Sequence, residues 1–163
     1  MLNEQNHIID IDLSITSKKK FRIDKDDNRI IELNTSDMNI ISRLSEVYPK
    51  LEELQAKATQ LTSTVDIKQH DENDIEGTLN EYKVVGDNLK DIDKSMRDLI
   101  DYIFDSKVAD IAAPDGSMYD LFNGSFRYEH IITTFMALYE DNLKAEYDRL
   151  EKQTKKHTAK YTK

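Results

Sequence analysis

The sequence contains no cysteine and no tryptophan, and it has only four glycines and two prolines in 163 residues. Without cysteine there is no disulfide framework and no thiolate to act as nucleophile or zinc ligand. The oxidising compartments thereby lose their main compositional support, and a reducing cytosol is the expected setting. The glycines, Gly77, Gly86, Gly116 and Gly124, fit neither Rossmann nor Walker spacing, so no phosphate-cradling loop and no cofactor is expected. No run approaches the roughly eighteen consecutive apolar residues of a membrane span. The opening MLNEQNHIIDIDL carries acids where a secretory leader needs an apolar stretch. Positive charge is also scarce: 23 Lys and Arg face 32 Asp and Glu, a net charge of −9. That balance disfavours nucleic acid and anionic membrane as partners, because both reward clustered Lys and Arg.

What is present suits one helical core. The length is that of a single domain. Hydrophobic residues at 38% against 34% charged favour helices with one apolar stripe each over elements buried on every side. The charge is polarised, since residues 152–163 hold Lys152, Lys155, Lys156, Lys160 and Lys163 with no acid.

Apolar residues alternate with polar ones from Ile8 to Asn34 (Ile9, Ile11, Leu13, Ile15; Phe21, Ile23; Ile31, Leu33), a period of two that predicts strands. The intervening DKDDNR segment is turn chemistry, so the last two strands should pair as a hairpin. After Asn34 the period changes. Thr35 or Ser36 is a plausible N-cap, and Ile41, Leu44, Val47, Leu51, Leu54, Ala58, Leu61 and Val65 follow at helical spacing, with a kink or a division into two helices expected at Pro49. Residues 66–77 read as an acidic loop. Thr78 and Glu81 form a capping box opening a long helix over 78–112, with a seam of Tyr82, Val85, Leu89, Ile92, Met96, Leu99 and Ile103. This is an ordinary bundle helix or a self-associating coiled coil. Ala113-Pro114-Asp115-Gly116 stops it, Asn123-Gly124 makes a second turn, and an aromatic loop over 113–124 leads to a last helix over 125–151. The basic segment 152–163 is expected to be a flexible tail. The expected fold is thus α+β and helix-dominated: a short N-terminal antiparallel β-meander (8–34) packed on a bundle of three to four helices, one domain over 1–151.

Few residues offer chemistry. His7, His70, His130 and His157 lie in four separate regions, without the paired spacing of a zinc site. Asp24-Lys25-Asp26-Asp27-Asn28 resembles the start of an EF-hand, but Arg29 stands where glycine is required and Thr35 where the bidentate glutamate belongs, so no metal is expected. Glu129-His130 is an acid–base pair only on paper, because an acid in the first turn of a helix has a simpler electrostatic reason. No catalytic residue is assigned and no enzyme is expected. The aromatic stretch Met118, Tyr119, Leu121, Phe122, Phe126 and Tyr128 has two readings. Such residues either close the end of a bundle or form a partner-binding surface.

Two stretches carry a resemblance. FRIDKDDNRIIELNTSDMNIISRLSEVYPKLEEL (Phe21–Leu54) and IDYIFDSKVADIAAPDGSMYDLFNGSFRYEHIITTFMALYEDN (Ile100–Asn142) resemble tail assembly chaperones of long-tailed bacteriophages and prophages of Gram-positive bacteria. The resemblance rests on the ELNTSDMNI junction and on the APDGSMYDLFNG loop followed by FRYEHI, and it spans about half the chain. It implies an assembly factor of the host cytoplasm, absent from the mature virion, that keeps the tape measure protein soluble and yields it to the tail tube. It also implies a short form, beside a frameshifted longer form that recruits tail tube protein. An apolar groove, a charged exterior and self-association would suit that role. A different class also fits the residues: a small acidic phage or host regulator that inhibits one folded target by binding it.

Overall fold

A computed structural model describes residues 18–65 and 75–161. The expected strand carrying Ile9, Ile11, Leu13 and Ile15 lies outside the described residues. Strands β1 (Lys18–Arg22) and β2 (Ile30–Asn34) pair antiparallel with Phe21 opposite Ile31 and Lys19 opposite Leu33. The period-two pattern of β2 has its physical meaning here, because Ile31 and Leu33 are buried while Ile30 and Glu32 face outward. The expected turn is closed by Ile23–Asp26, with Asp24 and Lys25 both at positive φ (50° and 60°) and the Asp26 N–H donating to the Ile23 carbonyl at 2.9 Å. Asp tolerates this left-handed geometry, which matches the twist of a two-stranded ribbon.

Helices α1 (Ile40–Thr64) and α2 (Ile75–Phe104) form an antiparallel pair on which the hairpin packs. The junction differs from expectation at its start. Neither Thr35 nor Ser36 caps the helix; Thr35 is buried, and α1 begins after Asn39. Asp37 fixes this turn by accepting the Asn39 N–H at 2.9 Å and an Arg43 N–H at 2.8 Å. Burial alone would raise the Asp37 pKa, but these hydrogen bonds and the Arg43 charge outweigh it and hold the carboxyl below its usual value. The stripe on α1 consequently starts at Ile40, and Ile41 is exposed. Pro49 sits inside a single continuous helix that is not divided in two.

The segment expected to be one helix over 78–112 is divided. Residues 75–77, expected in the acidic loop, belong to α2, which places Thr78 inside the helix. The helix ends at Phe104, and a short α3 (Ala109–Ala112) follows. The break is a Schellman stop: Asp105 lies at φ 48°, and the Asp105 and Ser106 N–H groups return to the Tyr102 and Asp101 carbonyls. The Asp101 side chain then accepts the Val108 and Ala109 N–H groups at 2.8 and 2.9 Å, starting α3.

The aromatic loop contains a minute hairpin, β3 (Leu121–Phe122) and β4 (Ser125–Phe126). It turns at Asn123 and Gly124, both at positive φ, as expected of Asn-Gly. Helix α4 runs from Arg127 to Tyr161, so residues 152–161, expected as a flexible tail, are helical. No glycine or proline interrupts them, and Glu151 pairs with Lys155 one turn on at 2.7 Å. The core joins all four helices: Leu51 from α1, Met96, Ile100 and Phe104 from α2, Ala109 from α3, and Tyr128, Phe135 and Tyr139 from α4. Phe104 meets Phe135 edge-on at 5.5 Å. No helix among the described residues is long and apolar enough to cross a membrane.

Candidate functional site

The aromatic loop is held from beneath by charged side chains spending their donors on peptide carbonyls. Arg97 on α2 donates to the carbonyls of Ala113 (2.9 Å) and Gly116 (2.8 Å) and to the carboxylates of Asp93 (2.7 Å) and Asp110 (2.9 Å). Burial disfavours the Arg97 charge, but the two carboxylates outweigh that and raise its pKa further. Asp93 also accepts the Met118 N–H at 2.6 Å. Asp120 accepts the Ser117 N–H at 2.8 Å, and Arg127 reaches the Asp115 carbonyl. Gly116, at φ +76°, is required here, since a Cβ would collide with the Asp120 carboxylate and crowd the Arg127 guanidinium.

Two further arginines act alike at the other joints of the body. Arg43 on α1 donates to the Ile103 carbonyl at 2.8 Å, near the end of α2. Arg29 on the hairpin donates to the Ile111 and Ala112 carbonyls at 2.9 and 2.8 Å, at the end of α3. Each satisfies carbonyls that a helix end or turn leaves without an intrahelical donor. Buried Asn142 on α4 completes the set, donating to the Thr35 carbonyl at 3.2 Å and accepting from Lys19. Sequence reasoning missed all four, because a polar residue beside an apolar stripe looks like any solvated one.

The six candidate partner-binding residues do not share one surface. Met118 and Tyr128 are buried in the core, at 0% and 1% exposure. Tyr128 stacks on Phe126 at 6.1 Å and lies 6.3 Å from Tyr48. Tyr119 and Phe126 are half-buried against the core, and the Tyr119 hydroxyl donates to the Leu89 carbonyl at 3.3 Å. Only Leu121 (72%) and Phe122 (52%) stand in solvent. Burial first and the Glu129 carboxylate second raise the pKa of both the Tyr48 and Tyr128 phenols.

Phe122 borders a cleft of about 380 Å³ between the β1–β2 turn, the end of α3 and the first turns of α4. Its floor is apolar, from Ile23, Ala112, Ala113, Ile131 and Phe135, and its rim carries Asp24, Arg127, His130 and Thr134. The His130 ring sits 5.7 Å from Phe122. Glu129 points elsewhere: its carboxylate accepts the Phe126 N–H at 3.0 Å, the back-reaching half of a capping box. A larger depression of about 520 Å³ along α2 is lined by charged side chains, among them Lys90, Asp93, Lys94, Arg97 and Asp98. Among the described residues, no three His, Asp or Glu side chains gather as a metal would require. The Asp24 and Asp27 carboxylates pair instead with Arg29 and Arg22.

The cleft and its aromatic rim thus form an apolar surface edged by polar and charged side chains. Comparison with protein-family models, with curated proteins and with solved structures found no match to this chain.

Proposed function

We propose that the chain is a tail assembly chaperone of a long-tailed bacteriophage, which binds the tape measure protein and keeps it soluble during tail morphogenesis. The observation that carries this reading joins sequence to packing. The two stretches that resemble such chaperones, Phe21–Leu54 and Ile100–Asn142, pack against each other through Arg29, Arg43 and Asn142. They also frame the cleft bordered by Phe122. The resemblance therefore falls on one packed unit with an exposed apolar edge.

On this reading Leu121 and Phe122 meet apolar side chains at helical spacing on the tape measure protein, and the cleft receives one of them. The surrounding charge, −9 over the chain, keeps the loaded complex dispersed. Release needs no nucleotide, because the tail tube competes for the same client as it polymerises. The chaperone would act in the host cytoplasm, contact tail tube protein in passing, and be absent from the virion.

Co-expression with a phage tape measure protein tests this reading. The expected outcome is soluble client in a complex with the wild-type chain, and insoluble client with a Leu121→Ser/Phe122→Ser double variant that melts like the wild type. Client that stays insoluble alongside the wild-type chain would overturn it.

A further inference from the structure

Helix α4 outruns the body on which it packs. As far as Asn142 it presents a buried stripe of Tyr128, Ile131, Phe135, Tyr139 and Asn142. Beyond it, Leu143 is half-buried and every residue from Lys144 to Lys156 is exposed. The apolar stripe nevertheless continues through Leu143, Tyr147 and Leu150, at intervals of four and three. Tyr147 (54%) and Leu150 (58%) are exposed, and the Tyr147 hydroxyl lies 3.9 Å from the sulfur of Met38, itself exposed on the body. A protruding helix of this length is marginal in water unless its apolar face is covered.

The charges flanking the stripe say what covers it. With Leu143, Tyr147 and Leu150 at the seam, Lys144 and Glu151 fall on one edge, seven residues apart, and Glu146 falls on the other. Charges at such edge positions set which helices pair and in which direction. In a parallel pair of two copies, unlike edges meet and Glu146 faces Glu151 of the other copy, which repels. In an antiparallel pair, like edges meet and Lys144 faces Glu151 of the other copy, twice by symmetry. The longer-range charge agrees. Residues 140–151 hold Glu140, Asp141, Glu146, Asp148 and Glu151 against Lys144 and Arg149, whereas residues 152–163 hold lysines and no acid. Antiparallel pairing lays each basic end along the acidic segment of the other copy.

We propose that the exposed half of α4 is a homodimerisation surface, in which two copies pair antiparallel about a two-fold axis near Tyr147–Leu150. Tyr147 of each copy packs on Leu150 of the other, and Leu143 on Thr154. The basic end of each helix then runs toward Met38 and Ile41 of the other body. This inference does not rest on the chaperone reading.

Sedimentation of the full chain over a concentration series tests it, with a dimer expected for the wild type. Leu150→Glu should give a monomer whose body remains folded, because that site carries none of the core. Lys144→Glu should weaken the dimer at least tenfold, and adding Glu151→Lys should restore it. Direction is read by cross-linking, which the absence of native cysteine makes clean. Chains with Leu143→Cys and chains with Thr154→Cys should form a mixed disulfide when combined, and neither should cross-link to itself. A wild-type monomer at every concentration, or efficient self-cross-linking of Leu143→Cys, would overturn the proposal.

Discussion

Met118 and Leu121 stand three residues apart in one loop, yet the first is fully buried and the second is 72% exposed. Tyr128 and Phe122 repeat the contrast at the next turn of the chain, at 1% and 52%. The inward half is anchored by backbone bonds: the Met118 N–H to Asp93, and the Tyr128 N–H to the Met118 carbonyl at 3.0 Å. The outward half is a two-residue ribbon whose turn, Asn123-Gly124, carries the side chains away from the body. Each half pairs one aliphatic or thioether side chain with one aromatic, so aromatic density does not separate buried from exposed positions. What separates them is where the backbone is tied down.

The largest test of this contrast is Tyr128→Ala. It should cost about 3 to 5 kcal/mol, the usual range for emptying a buried aromatic site, and lower the denaturant midpoint accordingly. A loss under about 1 kcal/mol would break the contrast.

Next comes the tie itself. Arg97→Ala removes the guanidinium donors from the Ala113 and Gly116 carbonyls and from the Asp93 and Asp110 carboxylates, and should cost about 2 to 3 kcal/mol. Its accompanying sign is faster amide exchange at Met118 and Tyr128 before any change in α1.

A smaller effect, of opposite sign, sharpens the meaning of burial. The Tyr139 hydroxyl is buried and finds no hydrogen-bond partner among the described residues. Tyr139→Phe should therefore stabilise the protein, by about 1 kcal/mol at neutral pH. Burial first, together with the nearby Asp37 and Asp105 charges and against Arg43, pushes the phenol pKa up from 10.0 to about 12. The folded state thus holds a proton that the unfolded state releases, so this stability is fully present below pH 10 and is lost as pH rises toward 12. The Phe variant should show a shallower alkaline decline in chemical denaturation.

The smallest effect on stability belongs to Phe122→Ala, expected within about 0.5 kcal/mol of the wild type. A larger loss would place Phe122 with the inward half and remove the apolar rim from the cleft.

Much of this architecture is legible in residue order. The alternation Ile31, Leu33 sets the inner face of β2, the seam Ile92, Met96, Ile103 sets the core face of α2, and Asn123-Gly124 sets the second turn. Three features were not legible, each for a physical reason. The stop at Phe104 uses Asp105 in a conformation that glycine usually marks, so the apolar pattern runs on through a break. The helix over residues 152–161 has no apolar stripe because propensity and side-chain pairing extend it, not burial. The inward and outward halves of the loop differ by bonds from Asp93 and Arg97, which lie 16 to 25 residues away and leave no local trace. The stretches Phe21–Leu54 and Ile100–Asn142 pack against each other, but residue order does not show which of their aromatics face outward.

The arginine joints carry a consequence for ionic strength. Arg29, Arg43 and Arg97 donate to neutral peptide oxygens of Ile111, Ala112, Ile103, Ala113 and Gly116, and mobile ions screen a bond to a carbonyl far less than an exposed ion pair. The rest of the surface is crowded with like charge, −9 in all, whose mutual repulsion salt relieves. The folded body should consequently hold its joints and gain stability as sodium chloride is raised, whereas the pairing proposed between Lys144 and Glu151 of two copies should lose strength over the same titration. On the proposed pairing, a change of salt would thus alter how two copies associate while leaving each copy folded.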